Sequence, residues 1–249
     1  MSQEPPGENA GENAASFAPG QDDVFARIAR RYDVLCDLFS LGLHRLWKRR
    51  MVARIADENW DTLLDAAAGT GDISLRLLQR RPELASRVTL SDLSPDMLAV
   101  AKRKFATRGL QPAFRVANAE HMPEVADNSV DLYAISLALK ICDRARVIRE
   151  AMRVLRPGGY FIALEASAIR MAWLHRLYLA YMGLCMPVIG WIATGGDASA
   201  YRYLLRGVNG FPNAEALALE LHEAGFHAVT FELMTLGIVA IHSGRKPRA

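Results

Sequence analysis

The sequence predicts an α/β fold, a mostly parallel sheet with helices on both faces and an antiparallel edge strand. Three observations carry this. Short buried-type strand runs alternate with helical periods from Thr62 onward, a glycine turn sits where the first strand gives way to a helix, and two strand signals follow closely on one another at the carboxyl end.

Taken in order, residues 1–21 are rich in Gly, Glu, Asn, Ala and Pro, with Phe17 as the large apolar group after Met1, and read as a disordered tail. That stretch lacks the basic start and apolar run of a secretory signal and is too acidic for a transit peptide. Residues 22–249 read as a single domain, with 22–55 as an amino-terminal helical cap and 168–210 as an apolar helical lid insertion. Val24, Ile28 and Tyr32 recur at i, i+4 and i+8, which is the stripe of an amphipathic helix. Thr62 to Ala66 reads as a strand, Asp72 to about Gln79 as a helix, and Val88 to Ser91 as the next strand. Ser94-Pro95-Asp96 supplies an N-cap, a proline at the first helical position and an acid in the first turn, opening a helix to about Ala106. Strands are expected at Phe114 to Ala117 and Leu132 to Ser136, then a helix from near Asp143 that Pro157-Gly158-Gly159 stops. Tyr160 to Glu165 is another buried strand. A helix over Ala214 to Ala224 with Gly225 as C-cap, and strands around Val229 and Ile238 to Ile241, complete the chain.

The 249 residues are 51% hydrophobic and 23% charged, which suits one α/β domain with appendages, and a net charge of +3 argues against a nucleic-acid binder. The charge is uneven: eight Lys/Arg against two Asp lie between Arg27 and Arg54, as a solvated helical face or as a surface that meets anionic lipid. Cys36, Cys142 and Cys185 are far apart, form no C-x-x-C pair and read as packed thiols, so no metal site is expected. Leu177 to Ala193 carries no charge over seventeen residues, but Tyr178, Tyr181, Gly183, Pro187 and Gly190 interrupt it. Two short apolar helices bent near Pro187 are expected, as a lid, as core, or resting on a bilayer. The expected location is cytoplasmic, with peripheral contact at the inner face of the membrane.

Asp65-Ala66-Ala67-Ala68-Gly69-Thr70-Gly71-Asp72 lies at the strand-to-helix junction, where glycines let backbone N–H groups approach a ligand at a helix N-terminus. Asp92 ends the next strand, placed to accept both hydroxyls of a ribose. NAD competes as the ligand, because Gly69-x-Gly71 resembles the start of G-x-G-x-x-G, but position 74 is Ser. Asp65 would repel a pyrophosphate and suits a ligand carrying an ammonium and a sulfonium, while the amide of Asn118, beside Ala119, can meet an adenine. These features favour S-adenosyl-L-methionine.

Longer stretches carry a family resemblance. They include Arg31-Tyr32-Asp33-Val34-Leu35, Ser40 to Arg49, Ala117-Asn118-Ala119-Glu120, Arg153-Val154-Leu155-Arg156-Pro157-Gly158-Gly159, Tyr201-Arg202-Tyr203-Leu204 and Gly237 to His242. Over roughly Asp22 to Pro247 the chain resembles the ubiquinone/menaquinone biosynthesis C-methyltransferases, the UbiE family of Rossmann-like class I methyltransferases. The resemblance implies cofactor contacts at Thr70, Asp92, Asn118, Ala119 and Ser136. Two departures stand out. Ala68 replaces a frequent glycine, and Leu137-Ala138-Leu139-Lys140-Ile141 stands where the family usually reads Phe-Gly-Leu-Arg-Asn.

The implied reaction is methylation of a ring carbon in a polyprenylated benzoquinol or naphthoquinol. A phenolic proton with pKa about 10 must leave, which calls for a base or a nearby cation. Lys140 is the candidate cation or base, or else a structural ion pair with Asp143. His44 titrates in the useful range or packs, Tyr201 and Arg202 line the substrate mouth, and Tyr32 either joins them or serves as a core aromatic. The partner expected is thus a hydrophobic quinol-type molecule, with a homodimer left open. Alternatives are another aromatic or lipid acceptor, or a non-catalytic cofactor-binding subunit of a lipid-biosynthetic assembly.

Overall fold

The computed structural model describes residues 32–169, 171–194 and 211–248. The expected tail, the helix before Tyr32 and the later part of the 168–210 insertion lie outside them. Helices α1 (Tyr32–Ser40) and α2 (His44–Ala56) precede β1 (Leu63–Ala66), α3 (Asp72–Leu78), β2 (Val88–Asp92), α4 (Pro95–Ala106), β3 (Ala113–Val116) and β4 (Val130–Ser136). Then follow α5 (Arg144–Val154), β5 (Leu155–Ala166), α6 (Ala172–Thr194), α7 (Ala214–Glu223), β6 (His227–Met234) and β7 (Val239–Arg245).

The seven strands form one sheet in the order β3-β2-β1-β4-β5-β7-β6. The first five run parallel, with Leu63 of β1 opposite Val88 of β2 and Leu132 of β4. The carboxyl-terminal pair supplies the expected antiparallel side: β7 inserts between β5 and β6 and runs against both. Side chains alternate across each strand with period two. Leu63, Leu90, Leu132 and Ile162 therefore face Met51 and Ile55 of α2 and Leu77 and Leu78 of α3. Leu64, Tyr133, Ile135 and Phe161 face Val147 and Ala151 of α5 and Leu217 and Leu221 of α7. Each such fully buried side chain contributes about 1.5–3 kcal/mol, so both faces must be covered and both are.

Helix starts follow their caps. Ser94 accepts the Met97 N–H at 3.4 Å, Asp143 that of Arg146 at 3.1 Å, and Asn213 that of Ala216 at 2.8 Å. Two expectations need correction. Helix α5 ends at Val154, and Leu155 is already extended (φ −65°, ψ 139°), so Pro157-Gly158-Gly159 lies inside β5 rather than stopping the helix. Pro157 disfavours a helical Arg156, and Gly158 N and Gly159 O bond Lys246 at 2.9 Å. The apolar stretch is one helix, α6, which continues through Pro187; a proline removes one main-chain donor, and the remaining turns carry the helix past it. Among the described residues, no helix is long and apolar enough to cross a membrane.

Arg45, Lys48 and Arg50 of α2 find partners within the chain. Arg45 pairs with Asp37, the buried Lys48 with Asp72 at 3.0 Å, and Arg50 with Glu232 at 2.9 Å. Trp47 donates its indole N–H to Thr235 Oγ1 at 2.7 Å, fastening α2 to the turn between β6 and β7.

Gly71 caps α3 in a left-handed conformation (φ 75°), and a Cβ there would lie 2.7 Å from Leu90 Cδ2 and 2.8 Å from Phe105 Cε2. Gly71→Ala adds a left-handed penalty to overpacking, and is expected to destabilise the fold by about 2–4 kcal/mol. Chemical denaturation measures this; a change within about 0.5 kcal/mol would show that α3 and α4 do not meet as closely as described.

Candidate functional site

A cleft opens at the carboxyl ends of β1 to β4, where the strand order reverses between β1 and β4. Open α/β sheets place ligands at such a switch point, because the loops diverge there. One wall is Ala67 and Gly69 from the glycine turn; another is Asp92, Leu93, Ser94 and Met97 from the end of β2 and the start of α4. Ala117, Asn118, Ala119 and Glu120 come from the end of β3, and Ser136, Leu137, Ala138, Ile141 and Cys142 from the end of β4.

Asp92 joins two of these walls. Its Oδ2 accepts the Gly69 N–H at 2.7 Å and its Oδ1 the Ser94 N–H at 2.9 Å. Both oxygens are thereby fixed at the cleft, and a carboxylate has about four acceptor positions, so each can also take a ligand hydroxyl. The turn itself needs left-handed backbone at Ala67 (φ 48°), Gly69 (φ 57°) and Gly71 (φ 75°). At Gly69 nothing among the described residues lies within 4 Å of where a Cβ would sit, so glycine is favoured there by conformation alone, whereas at Gly71 space is also short. Ala68 has no positive φ, and its methyl group costs no backbone strain.

The remaining expected cofactor residues divide into two groups. Asn118, Ala119 and Ser136 line the cleft with Asp92 and Gly69. Asn118 Oδ1 accepts the Glu120 N–H at 3.0 Å, leaving the amide donor as what it can offer. The Ser136 hydroxyl is buried and has no hydrogen-bond partner among the described residues. Asp65, Thr70 and Gly71 instead support the turn from beneath and do not line the cleft. Thr70 donates to Asp33 Oδ1 at 2.7 Å, and Lys104 bonds both Asp33 and the Thr70 carbonyl, tying the turn to α1. Asp65 is 1% exposed and accepts the Ser74 hydroxyl at 2.6 Å. Burial pushes its carboxyl up to about 6, against the Ser74 hydrogen bonds and Lys48, which pull it down.

The substrate-side candidates fare differently. Tyr201 and Arg202 lie outside the described residues, and Tyr32 begins α1 with its side chain outside them. His44 is buried on α2, bonded through Nδ1 to Ser40 Oγ at 2.8 Å. Burial and then Lys48 push its imidazole down to about 4, so it is neutral at physiological pH and packs. Lys140 does not line the cleft; its ammonium lies 3.6 Å from Glu165 Oε2 and bonds the Leu137 carbonyl. The expected pairing of Lys140 with Asp143 is corrected, since Asp143 caps α5 and pairs with Arg146 at 3.2 Å. Glu165 was not foreseen, although a carboxylate inside an otherwise apolar buried strand signals an internal partner. Leu137 has a left-handed backbone (φ 57°), which costs a branched residue about 1–2 kcal/mol. Burial foremost, then the Glu120 and Glu165 carboxylates, pushes the Cys142 thiol up to about 12, so it stays protonated and a poor nucleophile.

Asp65 gives stability a pH dependence of definite sign. Its carboxyl titrates near 3.8 when unperturbed and about 6 when folded. Within that window the folded chain keeps a proton that the unfolded chain releases, so raising the pH favours unfolding. Relative to Asp65→Asn, the wild type is expected to lose up to about 3 kcal/mol between pH 4 and pH 7. The opposite trend from His44 is common to both chains and cancels in the difference. Urea titrations across that range read it, and parallel curves would show that Asp65 is not desolvated.

The family model of the ubiE/COQ5 methyltransferase family matches residues 16–246. A ubiquinone/menaquinone biosynthesis C-methyltransferase UbiE of Bartonella tribocorum is 40% identical over 232 residues, 90% of this chain and 87% of its own length. A mitochondrial 2-methoxy-6-polyprenyl-1,4-benzoquinol methylase of Caenorhabditis elegans is 40% identical over 230 residues, 90% of this chain and 79% of its own. Among solved structures, an S-adenosylmethionine-dependent methyltransferase from Thermotoga maritima, described as a possible histamine N-methyltransferase, superposes with a TM-score of 0.63 at 17% identity. That likeness covers 89% of this chain and 97% of the other, and establishes the shared Rossmann-like fold. With a cleft at the strand switch point and a family model spanning nearly its whole length, the chain belongs to the ubiE/COQ5 methyltransferase family.

Proposed function

We propose that the chain methylates a ring carbon of a polyprenylated benzoquinol or naphthoquinol in ubiquinone or menaquinone biosynthesis, with S-adenosyl-L-methionine as donor. The observation that carries this reading is 40% identity over 90% of the chain to enzymes named for quinol C-methylation. The cleft fits the donor on its own terms. Leu93, Met97, Ala117 and Ala119 give apolar surface for a flat base, the fixed Asp92 carboxylate suits a ribose diol, and the buried Ser136 hydroxyl lacks a partner among the described residues. When bound, the donor supplies an electrophilic methyl group on a sulfonium.

The chain's own residues then position and shield. Methyl transfer to carbon is favoured by holding the ring in line with the sulfonium, so a rigid acceptor wall contributes directly to the rate, beside the loss of the phenolic proton. Leu137, Ala138 and Ile141 make that wall apolar, which suits a ring bearing a prenyl chain and excludes water. Cys142 lines the same wall as a protonated thiol and does not compete for the methyl group.

Contact with a lipid surface, where such an acceptor resides, belongs to the same proposal. Trp173, Leu177, Tyr181, Leu184 and Val188 form an exposed stripe along α6, with Trp173 64% and Leu184 72% exposed. Val34, Leu38 and Leu41 on and just after α1, which packs against α6, are exposed as well.

Mass spectrometry of the quinone pool, after expression in a bacterium deleted for its own quinol C-methyltransferase, tests the reading. Methylated quinone is expected to return. Persistent unmethylated precursor beside a folded, donor-binding protein would assign another acceptor, the reading that Ile141 in place of an asparagine favours.

A further inference from the structure

Glu165 has no exposed surface, and its carboxylate is engaged on both oxygens. Oε1 accepts the Leu139 N–H at 2.6 Å; Oε2 accepts the Ala166 N–H at 3.1 Å and faces the Lys140 ammonium at 3.6 Å. Lys140 donates in turn to the Leu137 carbonyl. Leu137 is the left-handed residue of the acceptor wall, and its N–H is held by the Leu164 carbonyl at 2.7 Å. Both main-chain groups of a strained residue are therefore tied to the end of β5, one directly and one through the ion pair.

Neither Lys140 nor Glu165 lines the cleft, while Leu137, Ala138 and Ile141 do. An ammonium that is 9% exposed and turned toward a buried carboxylate is badly placed to stabilise a phenolate on the far side of that wall. We propose that Lys140 and Glu165 are positioning residues: their buried ion pair pins Leu137 and Leu139, and thereby sets the shape of the acceptor wall. The proposal rests on the quinol reading for its acceptor, but the pinning can be measured without one.

The pair bears on the acceptor wall, whereas Gly69 and Ser94 are held by Asp92 and Asn118 by Glu120, so donor affinity is expected to change little. The pair moves no proton during turnover, so the pH profile of kcat stays where it is. Exchange of the Leu139 amide reports directly on its hydrogen bond to Glu165.

The test compares wild type, Lys140→Gln, Lys140→Arg and Glu165→Gln, using a short-chain prenylated benzoquinol, S-adenosyl-L-methionine and amide hydrogen exchange of residues 137–142. For Lys140→Gln, exchange in that segment and the acceptor KM are each expected to rise about tenfold, with donor affinity within about twofold and kcat falling less than KM rises. Lys140→Arg, which keeps the charge and the donors for both acceptors, is expected to keep both readings near wild type. Glu165→Gln behaves like Lys140→Gln; should it fail to fold, the two Lys140 variants decide the matter. A fall in kcat with a shifted pH profile and unchanged acceptor KM overturns the proposal in favour of a catalytic Lys140, and unchanged exchange in Lys140→Gln overturns the pinning itself. If wild type methylates no quinol while Lys140→Gln still exchanges faster, the acceptor assignment falls and the pinning stands.

Discussion

The Asp92 carboxylate is the contact on which the cleft depends. It ends β2, and by accepting the Gly69 and Ser94 N–H groups it holds the glycine turn after β1 against the start of α4. Those N–H groups sit where helices and turns leave donors without main-chain partners, so the carboxylate satisfies them and is itself oriented by them. A hydrogen bond to a charged acceptor is worth about 1.5–3 kcal/mol. Two of them give a side chain at the sheet edge the rigidity of a core residue.

Around this clamp the chain spends buried polar groups on geometry. Asp65 and Ser74 hold the turn from beneath, Thr70 and Lys104 tie it to α1 through Asp33, and Lys48 with Asp72 joins α2 to α3. On the opposite side of the cleft, Glu165 reaches from β5 to the loop after β4. The glycine-turn wall and the wall formed by Leu137 to Ile141 are thus braced by different side-chain bonds.

Much of the fold was legible because its signals are local. Short buried-type runs between helical periods mark strands, Ser94-Pro95 marks a helix start, and the glycine turn marks the junction before α3. The site was legible in part, for a physical reason. Asp92 and Ser136 end strands and Asn118 lies just beyond one, and strand ends in a parallel sheet converge on one edge; Asp65 and Thr70 sit one or two residues from the cleft lining, yet the turn rotates them under it. The partner of Lys140 could not be read from spacing, because Glu165 is twenty-five residues distant and meets it only through the parallel pairing of β4 with β5. The course of α6 through Pro187 was missed because a proline weakens a helix locally without fixing where it ends.

The most direct test of this account is a calorimetric titration of S-adenosyl-L-methionine into wild type and Asp92→Ala, with thermal unfolding of both to confirm that each is folded. Loss of the clamp and of the diol acceptor together predicts affinity weaker by at least about a hundredfold. A folded Asp92→Ala chain that binds the donor as tightly as wild type would contradict the assignment of the cleft.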